Sequence, residues 1–188
     1  MTSAQWRKLI ATVYSFLIKR KFCSFGRLSR IEFPSAMNFP SSMMIGDRVL
    51  VREHAYFNCA PSGKGPTLVI GNGSYIGRFS HFNAYESVIL EEDVLISDRV
   101  FISDAHHNYS DPEKPIIRQG LTRAQPVRLK QGCWIGVGAV IMPGVTIGQN
   151  AIVAANAVVT RDLPDNMIAR GIPARNYEKK SRERSLIT

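Results

Sequence analysis

The chain has 188 residues, 45% of them hydrophobic, with 24 Lys or Arg against 15 Asp or Glu and a formal charge of +9. That length suits one well-packed domain, and no apolar run approaches the roughly 18 residues that a membrane span needs. Three cysteines, Cys23, Cys59 and Cys133, are odd in number and far apart, which argues for reduced thiols in a cytoplasmic protein rather than a disulfide framework or a zinc site. Residues 1 to 30 hold seven bases and no acid, residues 170 to 188 hold six bases and two acids, and the stretch between is nearly neutral. Basic ends meet anionic surfaces or ligands; no nucleic-acid motif accompanies them, so no nucleic-acid partner is expected.

Residues 1–44 read as an N-terminal amphipathic helix and a lead-in segment. From Ala4 to Phe22, Trp6, Leu9, Ile10, Val13, Phe16 and Leu17 recur at the spacing of one helix face, flanked by Arg7, Lys8 and Lys19-Arg20-Lys21. A basic start and an apolar centre also mark an export leader, but no small-residue cleavage site follows and export is not expected. Two uses stay open for the helix: packing on its own coil or a neighbouring subunit, or peripheral contact with the anionic cytoplasmic face of a membrane. Residues 23 to 44, with Pro34, Pro40 and several serines, read as irregular.

Residues 45–175 carry a period of six. Ile45, Val51 and Phe57 start it, Ala60 to Pro66 interrupts it as a protruding turn would, and Ile70, Ile76 and Phe82 restore it. An eight-residue step leads to Leu90, Ile96 and Ile102, which implies two extra residues near Tyr85 to Ser87. The next 27 residues fit no multiple of six, so a loop over 103–127 is expected to leave the body. Leu129, Ile135, Ile141, Ile147, Val153 and Val159 then follow without a break. Neither helical spacing nor strict alternation accounts for this period; short strands joined by bends and stacked as a parallel coil do. The tail 176–188, with its run KKSRERS, is too charged for a core and is expected along the outside.

The stretch WIGVGAVIMPGVTIGQNAIVAANAVVTRDLPDNMIARGIPAR, Trp134 to Arg175, resembles the hexapeptide-repeat acyltransferases, and the run DAHHNYSDP, Asp104 to Pro112, resembles the loop of the polysaccharide and lipopolysaccharide O-acetyltransferases among them. The resemblance implies an all-β fold, a left-handed parallel β-helix with three hexads to a turn, acting as a homotrimer on acetyl-CoA with active sites between subunits. At three per turn the inward positions make about five turns, with the N-terminal helix at one end and the loop protruding. The left hand comes from the resemblance alone, because crossover rules favour the opposite hand.

The same resemblance implies the site. Val94 to His107 (VLISDRVFISDAHH) matches the segment that ends on the catalytic histidine, which falls on His107, with His106 in reserve beside the acceptor. A neutral imidazole there would take the proton of a sugar hydroxyl as it attacks a thioester. Asp104 and Glu86 are candidates to fix its tautomer. Phe82-Asn83 resembles the pair that puts an asparagine in the acceptor site, so Asn83 is expected to bind substrate. Trp134 would lie along the donor channel, within reach of substrate and cofactor. Ala155, Thr160, Arg161 and Arg175 would bind coenzyme A, Arg161 standing where relatives commonly have lysine and Val137 where some have serine. The expected reaction is O-acetylation of a sugar in a surface polysaccharide or its lipid-linked precursor, with no metal. Runner-up readings are acetylation of a small acceptor (free sugar, amino sugar, serine or antibiotic) and a metal-dependent hydrolyase of the carbonic anhydrase type, to which His54 and His81 would contribute.

Overall fold

The computed structural model describes residues 2–179, so most of the basic tail lies outside the described residues. Each hexad contributes a short strand whose aliphatic residue turns inward, followed by a bend. Stacking these strands gives three parallel sheets. The first contains Ser24–Phe25, Met43–Ile45, Leu68–Ile70, Val88–Leu90, Val127–Leu129 and Thr146–Ile147. The second contains Arg30–Ile31, Leu50–Val51, Tyr75–Ile76, Leu95–Ile96, Trp134–Ile135, Ile152–Val153 and Met167–Gly171, closed by the antiparallel strand Ala174–Lys179. The third contains Ala36–Asn38, Tyr56–Cys59, His81–Ala84, Phe101–Ser103, Val140–Ile141 and Val158–Val159. The chain passes from sheet to sheet in that order and winds as a left-handed parallel β-helix.

All fifteen inward positions read from the hexads, from Ile45 to Val159, are buried. Each contributes about 2 kcal/mol by leaving water. Phe57 and Phe82 occupy the third sheet at neighbouring levels and stack with centroids 5.2 Å apart. The coil begins at Ser24 rather than at Ile45, however. Residues read as irregular form a further turn, with Arg30–Ile31 paired to Leu50–Val51 and Ala36–Asn38 paired to Tyr56–Asn58. The helix therefore rises through six turns instead of about five. The turn at Ala60 to Pro66 does leave the coil, and a Cβ at Gly63 or Gly65 would meet nothing within 4 Å.

Helix α1, Ser3–Ile18, starts on a capping box in which Thr2 and Gln5 satisfy each other's backbone N–H. It covers the edge strand of the first turn. Ser15 Oγ accepts the Ile31 N–H at 2.8 Å and donates to Ala11 O at 2.6 Å, so an edge N–H that would otherwise be open has a partner. Tyr14 packs edge-on against Phe33, with centroids 5.4 Å apart.

Two of the three thiols face the core. Burial pushes both Cys59 and Cys133 up to about 12, so neither is a thiolate near neutral pH. A thiol reagent such as dithionitrobenzoate is expected to modify Cys23 alone in the folded protein and all three after denaturation. Fast labelling of two or three thiols in the native state would contradict this burial.

Candidate active site

The loop opens where the third sheet ends, at Phe101–Ser103, and is pinned at its neck. Gln125 N–H donates to Asp104 O (2.7 Å), Thr122 N–H to His106 O (2.8 Å) and Asn108 N–H to Gly120 O (2.9 Å). His107 pairs with Leu121 in an antiparallel bridge within this ladder. The backbone of the histidine pair is thus held by three successive hydrogen bonds although the loop projects into solvent. His106 and His107 are both exposed, and the His106 ring stacks near Tyr109, 6.0 Å between centroids.

A cavity of about 280 Å³ lies between this neck and the third sheet. It is lined by Asn83, Tyr85, Phe101, Ser103, Ala105, His106, His107, Leu121, Met142 and Pro143. Asn83, His106 and His107, expected to act together, do meet here. Of the two carboxylates named as candidates to orient the base, Asp104 and Glu86, the first is engaged elsewhere. Asp104 is fully buried and accepts the N–H groups of Tyr85 (3.0 Å), Glu86 (2.8 Å) and Ser87 (2.8 Å), the bend that absorbs the two extra residues. Its proximity to His107 in sequence reflects its anchoring of this bend.

Sequence reading missed Tyr85, which lines the cavity, and Asn58, which holds two of its lining residues from one turn further down. Asn58 Nδ2 donates to Asn83 Oδ1 (3.3 Å) and to Tyr85 Oη (3.1 Å), and His81 Nε2 lies 3.1 Å from the same Asn83 oxygen. With its oxygen engaged on that side, Asn83 is left with its amide nitrogen to donate to a ligand. Burial, then the Asp104 charge, hold the Tyr85 phenol above its ordinary range, so it is a neutral hydroxyl at physiological pH. A signal for Asn58 was present in the sequence. Tyr56-Phe57-Asn58 and His81-Phe82-Asn83 repeat one pattern, and the two asparagines are in register on adjacent strands. The interposed turn at Ala60 to Pro66 stretches their separation and hides it.

Trp134 does not line this cavity. It stands on the second sheet, partly exposed, with Nε1 donating to Ser97 Oγ at 3.0 Å. Above it on the same sheet come Ile152, Ile168 and the strand carrying Arg175, three steps of about 4.8 Å. The wall beside this row is smooth. A Cβ on Gly136 would stand 2.7 Å from Ala155 N, and Ala154 and exposed Ala155 complete the corner with small side chains. At the top, Thr160, Arg161 and Arg175 meet in a second cavity of about 460 Å³ with Asp162, Pro173 and Asn176. Two guanidinium groups at the end of a smooth wall fit an anionic ligand with a long thin arm.

The histidines expected of a hydrolyase are dispersed. His54 stacks face to face on Phe79 at 4.9 Å, and His81 sits between Tyr56 (4.7 Å) and Phe101 (5.4 Å). Among the described residues no three His, Cys, Asp or Glu side chains converge as metal ligands.

The bacterial transferase hexapeptide family (six repeats) matches residues 126–161. A protein of Saccharomyces cerevisiae provisionally named an acetyltransferase is 39% identical over 124 residues, covering 66% of this chain and 62% of its own. WbbJ of Escherichia coli, whose name assigns it provisionally to lipopolysaccharide biosynthesis as an O-acetyl transferase, is 29% identical over 187 residues, covering 94% of this chain and 91% of its own. The galactoside O-acetyltransferase of Escherichia coli is 30% identical over 137 residues, covering 70% and 61%. The chain thus spans under two thirds of the yeast and galactoside relatives and nearly all of WbbJ. Among solved structures, AntD, an N-acyltransferase from Bacillus cereus in complex with dTDP and 3-hydroxybutyryl-CoA, superposes with a TM-score of 0.77 at 23% identity, covering 90% of this chain and 89% of its own. A galactoside acetyltransferase in complex with coenzyme A gives 0.62 at 24% identity, covering 89% and 70%. These two likenesses bear on the fold.

Proposed function

From the premise that the chain belongs to the hexapeptide-repeat acyltransferases, we propose that it transfers acetyl from acetyl-CoA to a hydroxyl of a sugar in a surface polysaccharide or its lipid-linked precursor. The observation that carries this reading is one cavity lined both by an exposed histidine on a pinned loop and by an asparagine whose orientation is fixed from behind. His107 takes the proton of the acceptor hydroxyl as its oxygen forms the ester bond, and returns that proton to the departing thiolate. Asn83 and Tyr85 offer an amide donor and a neutral phenol to neighbouring hydroxyls. The donor contributes the activated acetyl group. Arg161, Thr160 and Arg175 hold its phosphates, and Trp134, Gly136 and Ala155 border its arm. The near full-length similarity to WbbJ favours a glycan over a small acceptor.

The working unit is a homotrimer with its sites between subunits. The loop carries Ile116 and Ile117 exposed on its outer part, and the first sheet bears a furrow of about 650 Å³ lined by Phe25, Met44, Val69 and Ile89 together with Asp47, Glu91 and Glu92. Either surface left in water would cost solubility, and mutual burial around a three-fold axis resolves both.

Incubating the purified protein with acetyl-CoA and a panel of sugars, while following free thiol, tests the reading. Acceptor-dependent thiol release supports it, and release with none of the hydroxyl acceptors counts against it. Two substitutions separate the parts. Trp134→Ala is expected to weaken coenzyme A binding about tenfold through lost aromatic packing, as read by calorimetry; unchanged affinity would contradict its place beside the donor. Asn58→Ala is expected to raise the acceptor KM about five- to tenfold, the cost of roughly one hydrogen bond's worth of orientation, with the KM for acetyl-CoA unchanged. An equal rise in both would assign Asn58 a merely structural part.

A further inference from the structure

Helix α1 packs on the coil through Ala11, Tyr14, Ser15 and Ile18 and leaves a stripe of large apolar residues outside. Ala11 and Ser15 are buried against the first turn, whereas Trp6, Leu9, Ile10, Val13, Phe16 and Leu17 are each between 44% and 69% exposed. Beside this stripe, between α1 and the first turn, runs a groove of about 500 Å³ lined by Lys8, Lys19, Arg27 and Arg30, with Phe16 and Leu28 on its walls. Lys19 Nζ lies 4.4 Å from the centre of the Phe16 ring, so the cationic and apolar parts are contiguous. No acidic residue occurs among the first 30 residues, and none lines the groove. Arg7, on the opposite flank, is the helix cation that pairs with a carboxylate, Glu53 at 3.4 Å. No described helix is long and apolar enough to cross a membrane.

We propose that this surface rests on an anionic lipid bilayer, with the stripe from Trp6 to Leu17 in the headgroup and acyl boundary and the groove of Lys8, Lys19, Arg27 and Arg30 receiving lipid phosphates. An apolar helix face that is outward, flanked by unpaired bases and too short to span, has the character of an interfacial helix. Charge decides between a bilayer and a second copy of the chain. Self-association through this face would bring the bases of each copy's groove, Lys8, Lys19, Arg27 and Arg30, together with no acid between them, whereas anionic lipid neutralises them. The inference is independent of the acceptor and of the chemistry proposed above.

The test uses the full chain and vesicles of phosphatidylcholine with or without phosphatidylglycerol, read by co-sedimentation and by tryptophan emission. The expected result is binding to the phosphatidylglycerol vesicles, weakened by salt, with a blue shift that Trp6→Phe removes. The double variant Lys8→Glu/Lys19→Glu should lose about tenfold or more in partitioning, and Phe16→Ser/Leu17→Ser should lose binding while circular dichroism and transfer to a soluble acceptor stay unchanged. Partitioning that is the same with and without phosphatidylglycerol would overturn the proposal. So would a Phe16→Ser/Leu17→Ser protein that still binds vesicles but sediments as a smaller assembly, which would make the face a contact between copies.

Discussion

Replacing His107 with Ala should lower acetyl transfer by about a hundredfold to ten-thousandfold, the span ordinarily supplied by one general base, and leave coenzyme A affinity and thermal stability as they were. The ring is exposed, so its removal opens no core cavity. The backbone of the loop keeps its ladder, because its bonds run between main-chain groups of Asp104, His106, Asn108, Gly120, Thr122 and Gln125. His106→Ala, which removes the ring stacked near Tyr109, should cost far less. Equal losses in the two variants would mean that the pair acts as a unit, and unchanged turnover of His107→Ala would remove it as the base. Initial rates with a competent acceptor, together with calorimetric coenzyme A titration of each variant, make the comparison.

Asp104→Ala should be the most destabilising single change near the site. Its buried carboxylate holds three consecutive N–H groups, those of Tyr85, Glu86 and Ser87. Removing it strands those donors away from water in a bend that the hexad pattern does not otherwise support. Hydrogen bonds to a charged acceptor contribute about 1.5–3 kcal/mol each, and stranding buried partners raises the cost, so a loss of about 3–5 kcal/mol is expected. For a chain of this size that corresponds to a fall in Tm on the order of 10 °C. Asp104→Asn keeps one acceptor oxygen and should fall between the two. Acceptor binding should weaken along with stability, since Tyr85 leaves its position when the bend relaxes. A Tm within 2 °C or so of the parent for Asp104→Ala would contradict the anchoring role.

The contrast between His107 and Asp104 marks what this sequence discloses. The hexads announce themselves because each strand must send one aliphatic residue inward, and a stack of strands repeats that demand at a fixed spacing. Even the overlooked first turn obeys it, since Phe25, Ile31 and Met37 are six apart; Pro34, Pro40 and the surrounding serines disguised the pattern as irregular chain. The two-residue insertion before Leu90 was legible as an offset, but not what stabilises it, because the partners of Asp104 are backbone groups and carry no residue identity. The role of Asn58 was likewise concealed by an insertion that shifts the register between adjacent turns. The outward orientation of the α1 stripe was open as well, since a 3.6-residue period defines an apolar face without saying what it meets. The left hand of the coil follows from no spacing at all.

The proposed function requires the row from Trp134 to Arg175 and the cavity at Asn83 and His107 to serve one reaction. Determining the structure of the protein crystallised with coenzyme A tests this most directly. The adenosine end should lie against Arg161 and Arg175, the arm should pass Trp134 and Ala155, and the sulfur should reach the cavity of Asn83 and His107, on the same protomer or across a three-fold interface. Coenzyme A bound elsewhere, or with its sulfur out of reach of any His107 in the assembly, would contradict it.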